Sequence, residues 1–382
     1  MQQVYTENLE HLDFTGLALS QKILLVRGGQ SYINCGASKV LTEKLKDREV
    51  THFSGFHTNP RLEDVRKGIV LLNESGADTI IAVGGGSVMD MAKLIKGLSG
   101  QDSDPGQYIR GSKKLKENRN IKLIAIPTTS GSGSESTHFA VVYMDKVKYS
   151  LAHQSLLPDS IILDYRLTES MTPFQTACSA FDALSQGVES HWSVNADPQS
   201  SEYSEKAIKL AVGNLVNAVR SPDHRNRTAM QEAANLAGKA INLTKTTAPH
   251  AFSYYLTSHF DIPHGYAVAL LLGKFIIFNS RVSDKELSDR NSSRQSVVNK
   301  INNICGFLGA ESPEDADFRI NCLLKDCGLE SDLTKLIDLE SEFENIYKSV
   351  NIERLKNNPR LVENKNELFS LLTGQGESEK QC

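Results

Sequence analysis

The sequence predicts an α/β domain built on a parallel sheet, followed by an all-α domain. Three observations carry this expectation. Short apolar runs alternate with amphipathic stretches through the first half of the chain, two of the runs end in glycine- and hydroxyl-rich turns, and strand signals largely stop after Ile161-Ile162-Leu163-Asp164. At 382 residues the chain also exceeds the size at which one core keeps growing. Two domains are therefore expected, residues 1–168 and 169–382.

The elements follow in order. Ile23 to Arg27 is a short apolar strand that stops at Gly28-Gly29, and a helix-like segment runs from Gly36 to Leu45. Val50 to Phe53 is a second strand. Asn59-Pro60 breaks the chain, and Arg61 to Ser75 has helical spacing through Val65, Ile69, Leu71 and Leu72. Asp78 to Val83 is a buried strand ending in Gly84-Gly85-Gly86-Ser87, ahead of a helix from Val88 to Leu98. Lys122 to Pro127 repeats the strand signal and enters Thr128-Thr129-Ser130-Gly131-Ser132-Gly133-Ser134-Glu135. Strands alternating with helices at this spacing form a parallel sheet covered on both faces.

From Thr172 the periodicity is helical: Pro173–Trp192, Ser200–Val219, Thr228–Leu243, Thr247–His259, Tyr266–Phe278, and further amphipathic segments up to Leu372. Only the tail from Gly374 reads as disordered. A formal charge of -4 and 23% charged residues give no basic excess, which argues against nucleic-acid binding. No apolar run approaches the ~20 residues that span a bilayer, and the N-terminus lacks signal-peptide features, so a cytoplasmic location is expected. The six cysteines have neither zinc-ligand nor disulfide-framework spacing and read as reduced and structural.

A strand ending in GGGS at a helix start offers bare backbone N–H groups and a positive dipole end, which suits phosphate oxygens. The alternative is a tight turn with no ligand. It is not the G-x-G-x-x-G fingerprint. The second turn, TTSGSGSES, adds hydroxyls, and two such turns at the carboxyl ends of parallel strands favour a dinucleotide.

In the helical half, Asp182 and Gln186 are four residues apart and share a helix face. His250 lies on a helix, and His264 sits in Pro263-His264-Gly265 at the entry to the next one. Asp plus two His suits Fe(II) or Zn(II) and leaves a position open for substrate. Each residue also has a plain reading: Asp182 as a helix-start residue, His250 as a core histidine, His264 as part of a turn.

These segments together resemble the iron-containing, group III alcohol dehydrogenase family over nearly the whole chain. The resemblance rests on Gly84 to Lys93, Pro127 to Glu135, the Asp182 helix, and His250 through Pro263-His264-Gly265. It implies a dehydroquinate synthase-like nucleotide-binding α/β domain, a helical metal and substrate domain, a cleft between them and commonly a homodimer. It further implies Asp182, His250 and His264 as metal ligands, with Gly85, Gly86, Ser87, Asp90, Thr128, Thr129, Ser132 and Lys148 lining the cofactor. Gly28 and Gly29 close the first strand in the same nucleotide site. Arg27 to Ser31 offers no carboxylate to a ribose, so NADPH fits as well as NADH.

Two positions depart from the family pattern. Gln186 stands where a histidine ligand is usual, and Tyr254 stands where a further active-site histidine is usual. Gln186 then either coordinates through its amide oxygen or leaves the place to water. Ala183 to Ala196, Lys245 to Tyr254 and Asn357 to Arg360 resemble the branch that reduces phosphonoacetaldehyde to 2-hydroxyethylphosphonate. On that reading a reduced nicotinamide delivers a hydride to an aldehyde, Tyr254 relays the proton, and Lys245, ahead of the His250 helix, contacts the phosphonate. Tyr254 packed between helices and Lys245 as a solvated lysine are the competing readings. Two other functions stay open: the same chemistry on a sugar-acid terminal alcohol or a simple aliphatic alcohol, and a non-catalytic nucleotide-binding protein.

Overall fold

A computed structural model describes residues 2–116, 121–145, 147–350 and 352–374; the rest of the tail expected to be disordered lies outside the described residues. The chain divides into two compact units, Met1–Met171 and Thr172–Cys382.

The first unit contains β1 (Gln3–Tyr5), β2 (Lys22–Arg27), α1 (Gln30–Asn34), α2 (Ala37–Lys44), β3 (Glu49–Phe53), α3 (Leu62–Ser75), β4 (Thr79–Gly84), α4 (Gly86–Leu98), α5 (Pro105–Ile109), β5 (Lys122–Pro127), β6 (Phe139–Met144), β7 (Val147–Ala152) and β8 (Ser160–Ile162). Six strands form one sheet in the order β1-β8-β5-β4-β2-β3, and every pairing in it is parallel. The period-2 alternation of a strand sends Leu24, Val26, Ile80, Ala82, Leu123 and Ala125 into one core and Ile23, Leu25, Ile81, Val83, Ile124 and Ile126 into another. Both faces are thus covered, which is why the central strands read as continuous apolar runs.

Among the strands, two features were absent from the sequence expectation. β1 is three residues long, too short for any periodicity. β6 and β7 form an antiparallel hairpin in register from Phe139↔Ala152 to Met144↔Val147. Only one face of β6 is fully buried, and β7 is largely exposed or half-buried, so neither gives the apolar signal of the central strands.

The second unit is helical: α6 (Pro173–Trp192), α7 (Pro198–Arg220), α8 (His224–Thr244), α9 (Ala248–Phe260), α10 (His264–Ser280), α11 (Arg294–Leu308), α12 (Pro313–Asp326), α13 (Leu339–Ser349), α14 (Ile352–Leu355) and α15 (Lys365–Thr373). No β-strand occurs among its described residues. α6 starts where the sequence places it because Thr172 caps it: its hydroxyl accepts from Gln175 N, the Gln175 side chain answers on the Thr172 N–H, and Pro173 needs no donor partner at the first turn. α10 is apolar nearly all round, as a helix through the middle of a core must be.

Among the described residues no helix is long and apolar enough to cross a membrane. Cys35, Cys178, Cys305 and Cys327 are free thiols. Cys322 is disulfide-bonded, which corrects the expectation of six reduced thiols; the spacing of cysteines along the chain does not reveal which of them meet in space.

Candidate metal centre and nucleotide turns

Asp182, Gln186 and Glu189 lie on α6, His250 on α9, and His264 is the first residue of α10. A Cβ on the residue after His264 would block the start of α10 from approaching α6. Gly265 removes that obstacle: a Cβ there would lie 2.1 Å from the Cys178 carbonyl oxygen and 2.7 Å from Asp182 Cβ. The close approach at glycine brings the start of α10 onto the Asp182 backbone.

One ligand atom each from Asp182, His250 and His264 falls within 4.8 Å of the other two. Atoms bound to one cation at about 2.1 Å lie roughly 3–4 Å apart, so small side-chain rotations close the set. Asp182 and His250 are buried, and His264 is half-buried. The rings of His250 and His264 meet edge to face at 5.2 Å.

His250 is held between two carboxylates. Its Nδ1 hydrogen-bonds Glu189 Oε1, and its Nε2 lies 3.4 Å from Asp182 Oδ1. Glu189 is fully buried and also accepts from Thr247 N at 2.6 Å and Thr247 Oγ1 at 2.8 Å. Nδ1 therefore carries a proton, and Nε2 is the atom turned to Asp182. Two lone-pair atoms facing each other require a cation between them. A proton fills that role when no metal is bound: burial opposes charge on His250, but Glu189 and Asp182 overcome it and raise its pKa to about 10. Burial likewise pushes the Asp182 carboxyl up, yet His250, His264 and Gln186 outweigh it and hold it below the usual range. This oxygen-nitrogen-nitrogen set fits a divalent transition metal.

Gln186 is buried, and its amide nitrogen donates to Asp182 Oδ1 at 3.0 Å. Tyr254 stacks on His264, with centroids 5.5 Å apart and planes 11° off parallel. Its phenol oxygen accepts from Arg354 Nη1 at 2.6 Å. Lys245 is exposed at the α8–α9 turn with φ +61°, and its N–H bonds Ile241 O at 2.8 Å.

The nucleotide-site candidates occupy the first unit. β2, β4 and β5 are parallel neighbours, so Gly28-Gly29, Gly85-Gly86-Ser87 and the Thr128–Ser132 turn leave the sheet side by side at its carboxyl edge. Gly28 N bonds Val83 O at 3.1 Å, and Thr128 N bonds Gly84 O at 3.0 Å. A Cβ on Gly86 would lie 2.9 Å from Ser132 Oγ, and one on Gly85 would lie 3.2 Å from Thr129 Cγ2. The glycines therefore let the second turn pack on the start of α4. Asp90 works inside this packing: it accepts from Ser134 Oγ at 2.6 Å and from Val141 N at 3.0 Å, tying the turn and the hairpin to α4. Lys148 is half-buried on the hairpin, opposite Tyr143.

Three residues with a part in these sites escaped the sequence reading. Glu189 had a signal, since it lies seven residues after Asp182 and thus two turns along the same face. Lys93 is fully buried and donates to Ser134 Oγ, Thr137 Oγ1 and Phe139 O at 2.7–2.9 Å. Burial pushes its pKa down to about 8 against the pull of Asp90 and Glu135. Arg354 had no local signal, because its partner Tyr254 is distant in sequence.

Comparison with known proteins shows the family. A family model described as iron-containing alcohol dehydrogenase matches residues 4–165, and the C-terminal model of the Fe-containing alcohol dehydrogenase family matches residues 176–373. Phosphonoacetaldehyde reductase of Streptomyces viridochromogenes is 30% identical over 315 residues, covering 80% of this chain and 78% of that protein. NADPH-dependent butanol dehydrogenase of Clostridium saccharobutylicum is 30% identical over 335 residues, covering 84% of each. An iron-containing alcohol dehydrogenase from Thermococcus thioreducens superposes with a TM-score of 0.84 at 26% identity, over 98% of this chain and 99% of that one.

Proposed function

Because the chain belongs to the iron-containing alcohol dehydrogenase family, we propose that this oxidoreductase reduces phosphonoacetaldehyde to 2-hydroxyethylphosphonate with NADPH or NADH. The observation that carries the metal chemistry is the convergence of Asp182, His250 and His264 on one point, with Glu189 fixing the His250 tautomer. Those three residues hold the cation, Fe(II) or Zn(II), and Gln186 enters through Asp182, whose carboxylate its amide holds. A divalent cation there supplies Lewis acidity to a carbonyl oxygen, and the reduced nicotinamide supplies the hydride.

The chain's own residues do the rest. The Gly28-Gly29, Gly85-Gly86-Ser87 and Thr128–Ser132 turns, with Lys148, bind the dinucleotide, and Asp90 and Lys93 keep those turns in place. As the aldehyde becomes an alcohol, its oxygen takes up one proton. Tyr254 Oη relays it from solvent or from the cofactor ribose: the Arg354 bond makes the phenol oxygen an acceptor there, so its own hydrogen is directed elsewhere. Lys245, just ahead of the α9 N-terminus, meets the phosphonate. The same reading carries a homodimer, which sedimentation of the purified protein tests.

A second reading, reduction of simple aliphatic aldehydes, is favoured by the butanol dehydrogenase relative at the same identity. The deciding experiment purifies the protein without chelator, measures bound metal, and compares phosphonoacetaldehyde with butanal under both cofactors. A higher kcat/KM for butanal would sink the phosphonate assignment, and protein lacking any transition metal would sink the metal centre.

A further inference from the structure

We propose that Arg354 is the specificity-determining cation of the substrate site, binding the tetrahedral oxyanion, phosphonate or sulfonate, of a short anionic aldehyde. The inference rests on the aldehyde-reductase reading above and deepens it.

Arg354 is half-buried beside the metal centre. One guanidinium nitrogen donates to Tyr254 Oη at 2.6 Å, and the guanidinium carbon lies 5.0 Å from the Tyr254 ring centre. That ring stacks at 5.5 Å on His264, one of the three metal-ligand candidates. The cation is therefore no farther from the His264 ring than these two centroid distances together. A two-carbon aldehyde places a terminal phosphorus or sulfur roughly 4–5 Å from its carbonyl oxygen at ordinary bond lengths. With the metal–oxygen bond, about 2 Å, and about 4 Å from phosphorus or sulfur to the guanidinium carbon added, such a substrate spans roughly 10 Å, comparable to that bound.

The charge balance around Arg354 points the same way. Arg360, also in the second unit, is clamped by Glu286 and Glu367. Among the described residues no carboxylate lies within ion-pair distance of Arg354, whose side-chain partner is a neutral phenol. A guanidinium offers five N–H donors in a planar fork that matches two oxygens of a tetrahedral anion. One of these donors serves Tyr254. Withdrawing a cation from water without an opposing charge is unfavourable, and an incoming oxyanion supplies that charge. The exposed Lys245, which meets the same anionic group, adds a hydrated point charge, whereas Arg354 supplies the planar fork that discriminates it.

The test compares wild type, Arg354→Met and Arg354→Lys on phosphonoacetaldehyde, sulfoacetaldehyde and butanal, with thermal melts to confirm folding. In Arg354→Met the ratio of kcat/KM for the anionic aldehydes over butanal should fall about 10–100-fold, mainly through KM. Arg354→Lys, which keeps charge but loses the fork, should fall between, and it decides the matter if the methionine variant does not fold. The aldehyde showing the larger loss identifies the oxyanion. Equal losses on all three substrates would overturn the proposal by assigning Arg354 to holding Tyr254. So would an unchanged ratio in a variant whose wild type prefers anionic aldehydes. A wild type with no such preference would fail one step earlier, at the substrate reading itself, and needs no variant to show it.

Discussion

Replacing Glu189 by glutamine removes one charge from a fully buried position and leaves the shape of the side chain almost unaltered. The carboxylate accepts three bonds, from Thr247 N, Thr247 Oγ1 and His250 Nδ1. An amide cannot accept on both sides. If its oxygen stays with Thr247, its NH2 faces Nδ1, which must then accept, and the imidazole proton moves to Nε2, the atom turned to Asp182 and needed by the metal. If the oxygen turns to His250, the NH2 meets the Thr247 N–H, donor against donor. The first outcome costs metal affinity, typically about 10–100-fold for an orienting partner of a ligand histidine. The second leaves a buried donor unpaired at about 1–3 kcal/mol. The assay is chelator competition for Zn(II) or anaerobic Fe(II), beside thermal melts and NADPH fluorescence titration. The expected result is weaker metal binding by one to two decades with dinucleotide affinity unchanged. Metal affinity within twofold of wild type, in a folded variant, would refute the claim that Glu189 sets the His250 tautomer.

Gly265→Ala should destabilise the protein by about 1–3 kcal/mol and weaken metal binding, because the added methyl collides with the Cys178 carbonyl and Asp182 and forces α10 off α6; thermal melts and metal titration read both. Gln186→His should tighten metal binding by adding a nitrogen donor beside Asp182, and chelator competition showing weaker binding would count against that placement. Glu286 contributes acid-sensitive stability. Burial pushes its pKa up, but Ser283 and Arg360 more than compensate and lower it to about 2. Its contribution is therefore complete above the unfolded value of about 4.3 and disappears as pH falls through about 2. Its side chain is one-third exposed, so screening leaves on the order of 1 kcal/mol. Glu286→Gln should lower the melting temperature at pH 7, with the gap closing towards pH 2.

What the sequence made legible follows from what is local. Central strands buried on both faces read as unbroken apolar runs, and the helices of the second unit announce themselves by period and by caps such as Thr172 with Gln175. The three metal-ligand candidates were readable as residue types on adjoining helices. The close packing that lets them converge was not, because it depends on a missing Cβ at Gly265 meeting a carbonyl over eighty residues away. Glu189 lay on the right face but looked like one more helical glutamate until Thr247 and His250 closed over it. The β6–β7 hairpin was missed for the opposite reason: β7 buries too little for alternation to show.

The Asn357 to Arg360 phrase pointed towards the phosphonate branch, yet most of its side chains are spent on architecture. Asn358 exchanges hydrogen bonds with Asn279 at the end of α10. Arg360 grips Glu286, Glu367 and the Phe278 carbonyl, with its guanidinium 4.1 Å from the Phe278 ring centre. Asn357 donates to the Thr246 carbonyl, next to Lys245, and accepts from Asn195. These bonds clasp the segment to the α8–α9 turn and the end of α10, and α14 runs directly into them. Arg354 sits one turn upstream of the clasp, at the height of Tyr254 on α9. A rigid clasp next to a half-buried guanidinium holds that cation in place before substrate arrives, which lowers the ordering cost of binding an anion. If the phrase marks a substrate class, it does so through the residue it positions: Asn357→Ala should then erode anionic-aldehyde preference in the same direction as Arg354→Lys, and an unchanged preference in a folded Asn357→Ala protein would separate the clasp from specificity.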